Sequence, residues 1–366
     1  MEIKIKTKKL NEILNIMEMG IPQKTVIEAL KSIKIIAEEN KLKFVTSKQD
    51  LAIQYTLDED FVILREGSLL IPSQFFIPII KKTNDEEITI KNDENKVSID
   101  SINSKLELMT YDLNTFPFID FENTNGINIT LDNKIINNIY FSTKNAIATN
   151  PIKPILTGIN FAIKNNEIIA SATDARRLSL LKQNINISKE MDFTINKFIL
   201  QILLKVTNDA NIDIYLDHNQ ITFKTNNIII KARVIDGDYP LVTKLIPNKI
   251  NCSYTIDKNI LIPILEKIIL LNNTETSNLK TSIVDNNLII NSYFQEFGNI
   301  EEKIKIDNIE GKPFTISYAP KFMLDALHSL PKNEVKISLV DEISPFMITN
   351  VDNNDNVQII SPIRLS

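Results

Sequence analysis

An alternating strand that runs into an amphipathic helix occurs three times in this 366-residue chain: EIKIKTKKLNEILNIM from Glu2, INITLDNKIINNIYFS from Ile127 and SYTIDKNILIPILEKI from Ser253. The residues placed to cap these helices, Thr7, Asp132 and Asp257, are 125 positions apart both times. Solenoid repeats run to about 20–45 residues, so a period this long means three copies of one domain. Three similar domains in one chain imply an arc or a ring.

A finer period lies inside the long one. Each copy holds a second strand-to-helix junction: SLLIPSQFFIPIIKK, MDFTINKFILQILLKV and PFTISYAPKFMLDALHSL. After each second helix come two alternating runs split by polar turn residues, EEITIKNDENKVSID, ANIDIYLDHNQITFKT and NEVKISLVDEISPFMIT, which read as hairpins. Helical apolar spacing is clean at Leu10, Ile13, Leu14 and Met17, at Ile199, Ile202, Leu203 and Val206, and at Leu261, Ile264, Leu265 and Ile268. Thr, Asp and Asn at the junctions offer a side-chain oxygen to the free N–H groups of a helix's first turn. Pro78 and Pro263 fall inside two helical patterns, where the missing N–H and the ring clash favour a kink or a late start.

What the chain lacks narrows its chemistry. Its seven glycines are never closer than 13 residues, so neither G-x-G-x-x-G nor a P-loop can be written. His218 and His328 show no zinc-binding spacing and read as surface histidines; the paired acids Asp58 to Asp60 and Glu301 with Glu302 read as solvated loop charges. The single cysteine, Cys252, excludes an intramolecular disulfide and argues against a thiolate metal site. No catalytic residue, metal site or cofactor is expected. No apolar run approaches the roughly 18 residues that span a bilayer, and the start MEIKIKTKKL has no signal-peptide core, so a cytoplasmic protein without a membrane partner is expected.

Charge is distributed unevenly. Six helical windows (7–19, 72–83, 132–146, 196–207, 257–273 and 319–333) hold twelve lysines against six acids, a balance of +6 in a chain whose net charge is −5, so the remainder carries −11. Lysines gathered on one type of element can face a polyanion while the rest of the surface repels it. Spread over repeated helices, they favour backbone contact without base reading. A lysine-bearing wet face on any helix is the plainer explanation, and charge alone does not separate the two.

Four segments carry a family resemblance: PIKPILTGINFAI (151–163), SATDARRLSLL (171–181), DGDYPLVTKLIP (236–247) and the tail IISPIRLS (359–366). Together with the threefold repeat and the TFPFID stretch, they resemble the bacterial DNA polymerase III β subunit, the replication sliding clamp, over essentially the whole chain. The resemblance implies an α+β DNA clamp fold of three similar domains, 1–124, 127–250 and 251–366, each with two helices packed on antiparallel sheets. It implies a head-to-tail homodimer closed into a ring around double-stranded DNA. It also implies a non-enzymatic processivity factor in DNA replication, partnered by a clamp loader, the replicative polymerase and other proteins with clamp-binding linear motifs.

The resemblance also implies three sets of residues. Lys24, Asn150, Lys153 and Lys197 stand at or near positions where clamps meet DNA; Lys24 and Lys153 replace the arginine of many relatives, exchanging a fork for a point charge. A partner-peptide cleft maps onto Leu156, Thr173, Ala175, Arg176, Arg177 and Leu178 from the second repeat. Pro240, Lys244 and Leu245 follow, then Ile343, Pro345, Ile359, Ser361, Pro362, Ile363 and Arg364. Apolar side chains would form its floor and basic ones its rim, suited to peptides of the Q-L-x-L-F type. Leu106 and Leu108 on an edge strand, with Leu270 and Leu271 at a helix end, match the dimer interface. Ala175 and Arg176 depart from the Gly-His of many clamps, and Ser366 follows the usual Arg-Leu terminus. A diverged paralogue that has lost its partners, or a carboxylate hydrolase on a repeated scaffold, are the alternatives.

Overall fold

The computed structural model describes residues 1–122, 124–150, 152–206, 211–271, 279–294, 298–313 and 315–363. It forms two compact units, one of residues 1–136 with 198–234, the other of residues 137–197 with 235–366.

Among the described residues six α-helices follow the six strand-to-helix junctions: α1 (Thr7–Met17), α2 (Ser73–Lys82), α3 (Asn133–Thr143), α4 (Lys197–Val206), α5 (Lys258–Leu271) and α6 (Pro320–His328). α1 buries Leu10, Ile13, Leu14 and Met17, as its spacing requires, and α5 buries Leu261, Ile264, Leu265 and Ile268. Each such side chain contributes roughly 1.5–3 kcal/mol by leaving water. Within α4, Ile199, Ile202 and Leu203 are buried, while the Val206 side chain lies outside the described residues.

Capping follows the expectation at two of three repeats. The Asp132 carboxylate accepts from the Lys134 N–H at 2.7 Å, and Asp257 accepts from the Asn259 N–H at 2.8 Å. Thr7 does not cap: the preceding Lys6 occupies that position without a side-chain bond, and the Thr7 hydroxyl is buried with no partner among the described residues. Its backbone N–H is instead satisfied by the Glu86 carbonyl at 2.9 Å. Pro78 and Pro263 lie inside α2 and α5, which begin at Ser73 and Lys258, so neither proline delays its helix.

The first unit contains a five-stranded and an eight-stranded sheet, both antiparallel throughout. The five-stranded sheet ends on the strand Lys105–Met109, which among the described residues pairs only with Lys96–Asp100. The eight-stranded sheet crosses from the first repeat to the second where Leu51–Leu57 pairs with Ile228–Arg233, placing Ile53 opposite Ile230. The second unit holds a nine-stranded and a four-stranded sheet. Here the crossing, from the second repeat to the third, pairs Arg177–Asn184 with Asn353–Ile360, and Ser179 faces Gln358. The four-stranded sheet ends on Gly298–Lys305, so Glu301 and Glu302 belong to a strand and not to the loop expected.

Candidate functional site

The crossing in the nine-stranded sheet brings the second and fourth signature segments together. Leu178 lies opposite Ile359 and Arg177 opposite Ile360. Leu178, 2% exposed, joins Leu180, Val242, Val357 and Ile359 in a small apolar cluster, with Ile169, Tyr239, Ile246 and Met347 packed around it. Val242 arrives from the third signature segment, on a single 3-10 turn (Val242–Leu245) that points Lys244 and Leu245 outward. Leu245 is 53% exposed and the preceding Leu241 is 70% exposed, while Pro240 is also exposed. A dry floor carrying wet apolar side chains is the arrangement of a docking surface.

A tight turn at residues 173–177 forms one edge. The Thr173 hydroxyl donates to the Arg177 carbonyl at 2.6 Å and accepts from the Ala175 N–H at 3.1 Å. One oxygen of Asp174 accepts from the N–H groups of both Arg176 (2.9 Å) and Arg177 (3.0 Å). This closes the turn by placing Ala175 at φ +72°, a left-handed conformation unfavourable for a residue with a Cβ.

Two adjacent guanidinium groups repel unless their charge is received, and here they are held differently. Arg177 donates through Nε to Asp174 at 3.0 Å and through Nη1 to Asp325 at 2.6 Å. Asp325 also receives Lys321 at 2.8 Å. The Phe322 ring lies under both arginines, 4.9 Å from the Arg176 guanidinium carbon and 4.4 Å from that of Arg177. Arg176 remains exposed, whereas Arg177 is committed to carboxylates of its own chain.

Behind the cluster runs a buried polar network. Ser179 donates to Gln358, whose amide donates to the Asn356 side chain (2.7 Å) and the Ser142 carbonyl (3.3 Å). Asn356 in turn donates to the Ser142 hydroxyl (2.8 Å) and the Ser329 carbonyl (2.9 Å). Both helix ends, at Ser142 and Ser329, are thereby tied to one strand. Such networks set register because a slipped strand would leave several buried groups unpaired.

The remaining residues that the resemblance assigns to a cleft are placed as follows. Leu156 is buried on a 3-10 turn, Pro154–Thr157. Ser361, Pro362 and Ile363 continue beyond the Ile360 strand end, with the Ser361 N–H on the Arg176 carbonyl (2.9 Å) and the Ile363 N–H on that of Ser317 (2.7 Å). Ile343 and Pro345 are exposed in a turn organised by Asp341, whose carboxylate accepts from the N–H groups of Ile343 (2.9 Å) and Ser344 (2.6 Å). These bonds hold the Asp341 carboxyl below its usual value, the Ser344 hydroxyl contributing most. Arg364 lies outside the described residues.

The sequence reading missed Asp174, Tyr239, Val242, Phe322 and Asp325. Tyr239 and Val242 lie inside a quoted segment, and burial pushes the Tyr239 hydroxyl well up while it donates to the Ser171 carbonyl at 3.3 Å. Asp325 is 148 positions from Arg177. Its one sequence signal is a carboxylate set inside the apolar run of α6, a placement that demands a cation.

Lys24, Asn150, Lys153 and Lys197 are all exposed, and none of the three lysines has an ion pair among the described residues. Lys24 belongs to the first unit; Asn150, Lys153 and Lys197 belong to the second. Leu106 and Leu108 are half-buried on the edge strand, and Leu270 (84% exposed) and Leu271 end α5. His218 is exposed in a turn and His328 at the end of α6. Among the described residues no cluster of three or more His, Cys, Asp or Glu could hold a metal, and no helix is long and apolar enough to cross a membrane.

Sequence models of the DNA polymerase III beta subunit match nearly the whole chain: the N-terminal domain over residues 1–120, the central domain over 130–241 and the C-terminal domain over 243–364. The beta sliding clamp of Staphylococcus epidermidis is 30% identical over 375 aligned positions, covering 100% of this chain and 99% of that protein. The beta sliding clamp of Staphylococcus aureus is 29% identical over 94% of each. Among solved structures, the DNA polymerase III beta chain of Streptococcus pneumoniae superposes with a TM-score of 0.94 at 28% identity. The polymerase sliding clamp of Bacillus subtilis gives 0.93 at 27%, and each alignment covers both chains in full.

Proposed function

As a member of the DNA polymerase III beta subunit family, and hence a non-catalytic DNA polymerase processivity factor with DNA and polymerase as partners, this chain, we propose, acts as half of a closed homodimeric ring. Two copies meet head to tail around duplex DNA, each contributing three domains, 1–124, 127–250 and 251–366. The observation that carries this reading is the repetition of one antiparallel crossing inside the chain, at Ile53 with Ile230 and again at Ser179 with Gln358. The strand that crosses at each junction has two counterparts left at sheet edges, Lys105–Met109 and Gly298–Lys305. A heterologous contact of this kind closes into a ring when its rotation permits. Leu106 and Leu108 would lie at that contact, and the exposed Leu270 and Leu271 beside it.

Duplex DNA is held by enclosure, with weak phosphate contacts from Lys24, Lys153 and Lys197 and a hydrogen bond from Asn150. Exposed helix lysines without ion pairs among the described residues, Lys8, Lys82, Lys134 and Lys205, are consistent with such a lining. Each contact is strongly screened by salt and reads no base, which permits sliding. Partner proteins dock by short linear motifs on the cleft above the Leu178–Ile359 floor. Exposed Leu241, Leu245 and Ile343 receive apolar side chains, and Arg176 and Lys244 receive carbonyls or carboxylates. The replicative polymerase and other clamp-binding proteins share this surface. A separate loader must open the ring, and the setting is the cytoplasm.

Two measurements test the reading. Light scattering at micromolar concentration should give a mass near twice 41.7 kDa. Protein loaded on circular DNA should stay bound and be lost rapidly once the DNA is cut; equal retention on both forms would mean ordinary binding and overturn enclosure.

A further inference from the structure

A line of directly opposed residues crosses the nine-stranded sheet on the face turned away from its core, one residue per strand. It passes from Leu178 to Ile359, Met347, Ser338, Ser253 and Glu310. The strand neighbours Ile337, Leu339, Ile348 and Ile360 point the other way, into the core. The first half of the line is apolar and belongs to the floor described above, while the second half carries hydroxyls and charge. Met347 joins the halves: it packs against the floor and lines a groove of about 310 Å³ beyond it. Ser253, Ser338, Thr349, Lys336 and Glu310 line the same groove.

Two of these groups ask for a ligand. Ser338 is 3% exposed and Thr349 1%, and among the described residues neither hydroxyl has a hydrogen-bond partner. Buried hydroxyls are seldom left so, because each forfeits the bonds it made to water. The third hydroxyl is satisfied: Ser253 donates to Glu310 at 2.8 Å, and Glu310 also receives Lys336 at 3.2 Å. Lys249 and Lys312 adjoin the lining residues Ile250 and Gly311; both are exposed, with no ion pair among the described residues. This end of the groove therefore carries three lysines against one carboxylate. Asp355 follows Asn354 on the strand at the other side.

We infer that the groove prolongs the partner cleft, resting on the reading of that cleft as a peptide site, and takes the extended, acidic segment that flanks a docked linear motif. Adjacent strands are about 4.8 Å apart, so Ser253 lies roughly 14 Å from Ile359 along the line, which four extended residues of about 3.3 Å each span. Backbone N–H and C=O groups of that segment meet the hydroxyls of Ser338 and Thr349, each able to donate once and accept twice. A carboxylate on it meets Lys336, whose ammonium keeps donors beyond the one given to Glu310. The matching line at the first crossing is interrupted. There Ala52 opposes Lys231, which opposes Thr222, and Lys231 donates to the Asp120 carbonyl in the segment whose Phe116 and Phe121 pack over Ala52.

Fluorescence polarisation with the full chain tests this. The probes are a Q-L-x-L-F type peptide, the same peptide with four Ser and Glu residues added before the motif, and a third with them added after it. One of the extended peptides should bind roughly 5-fold tighter than the bare motif. Lys336→Gln and Thr349→Val should each remove most of that gain, with the bare motif bound as before and the melting temperature no lower. Replacing the added Glu by Lys should abolish the gain. Equal affinity for all three probes, or a gain that survives both substitutions, overturns the groove and leaves the cleft standing. A bare motif that does not bind overturns the cleft, and this inference with it.

Discussion

The guanidinium of Arg177 lies 2.6 Å from the carboxylate of Asp325, joining a turn of the second repeat to a helix of the third. Their side chains are only 16% and 11% exposed, so little water is at hand to replace either partner. Removing one member of such a pair leaves the other desolvated. Arg177→Ala should therefore lower unfolding stability by about 2–4 kcal/mol, at the gentler end because Lys321 still reaches Asp325. Urea denaturation measures it, and a cycle with Asp325→Asn isolates the pair: independent, additive losses would show that the contact contributes nothing.

Leu178 and Leu245 should fail in different ways. Leu178→Ala opens a cavity in the cluster with Val242 and Ile359 and should cost about 2–5 kcal/mol of stability. Leu245→Ala truncates an exposed side chain and should leave the melting temperature within error. It should still weaken a Q-L-x-L-F type peptide by roughly 10- to 30-fold if Leu245 is an anchor. Fluorescence polarisation beside thermal melts separates the two.

Ala175 stores strain at φ +72°. Ala175→Gly relieves about 1 kcal/mol of steric cost and gives back part of it through the freer unfolded chain. The melting temperature should hold or rise slightly, while Ala175→Val should lower it, since a β-branched side chain tolerates this conformation least.

Alkaline unfolding should begin above pH 10. Burial pushes the Tyr318 hydroxyl up to about 12, opposed by the hydrogen bond with Thr281, and Tyr254 is raised well above its ordinary value of 10.0 by burial. A group whose ionisation is suppressed by folding contributes its full stability below the unfolded value of 10.0. That contribution disappears as pH climbs toward 12. Tyr318 alone accounts for a loss on the order of 2–3 kcal/mol across that window. Tyr318→Phe should make the decline measurably shallower when stability is followed from pH 9 to 11.

Each of Lys24→Ala, Lys153→Ala and Lys197→Ala should weaken DNA association equally on unrelated sequences. The slope of log affinity against log salt should fall by roughly 1 per lysine that touches phosphate. A variant that changes sequence preference and not the slope would assign that lysine a different role.

Much of the architecture is legible from local patterns. The six strand-to-helix junctions, the hairpins and the buried faces of α1 and α5 follow from periods of 2 and 3.6, because burying one face of an element is a demand that neighbouring residues meet together. Thr7 is the exception among the caps. Its hydroxyl is buried and its N–H is taken by the carbonyl of Glu86, a bend residue 79 positions away, an arrangement invisible in a hydroxyl's local preference.

The segments that the resemblance assigns to a cleft were legible in the sequence, and the packing between them was not. Leu178 and Ile359, two of the residues that the resemblance assigns to the cleft, are buried in one apolar cluster, while Arg177, expected on the rim, is neutralised from within by Asp174 and Asp325. Burial depends on what lies above a side chain, and no spacing along the chain states it. Sequence alone determined the threefold repeat, the type and order of elements, the absence of nucleotide-binding motifs and the family that the four segments resemble. Tertiary structure decided which repeat edges pair within the chain, which remain free and which charges are already consumed. Those outcomes depend on hydrogen bonds and ion pairs between residues more than a hundred positions apart, whose energies exist only once the sheets have assembled.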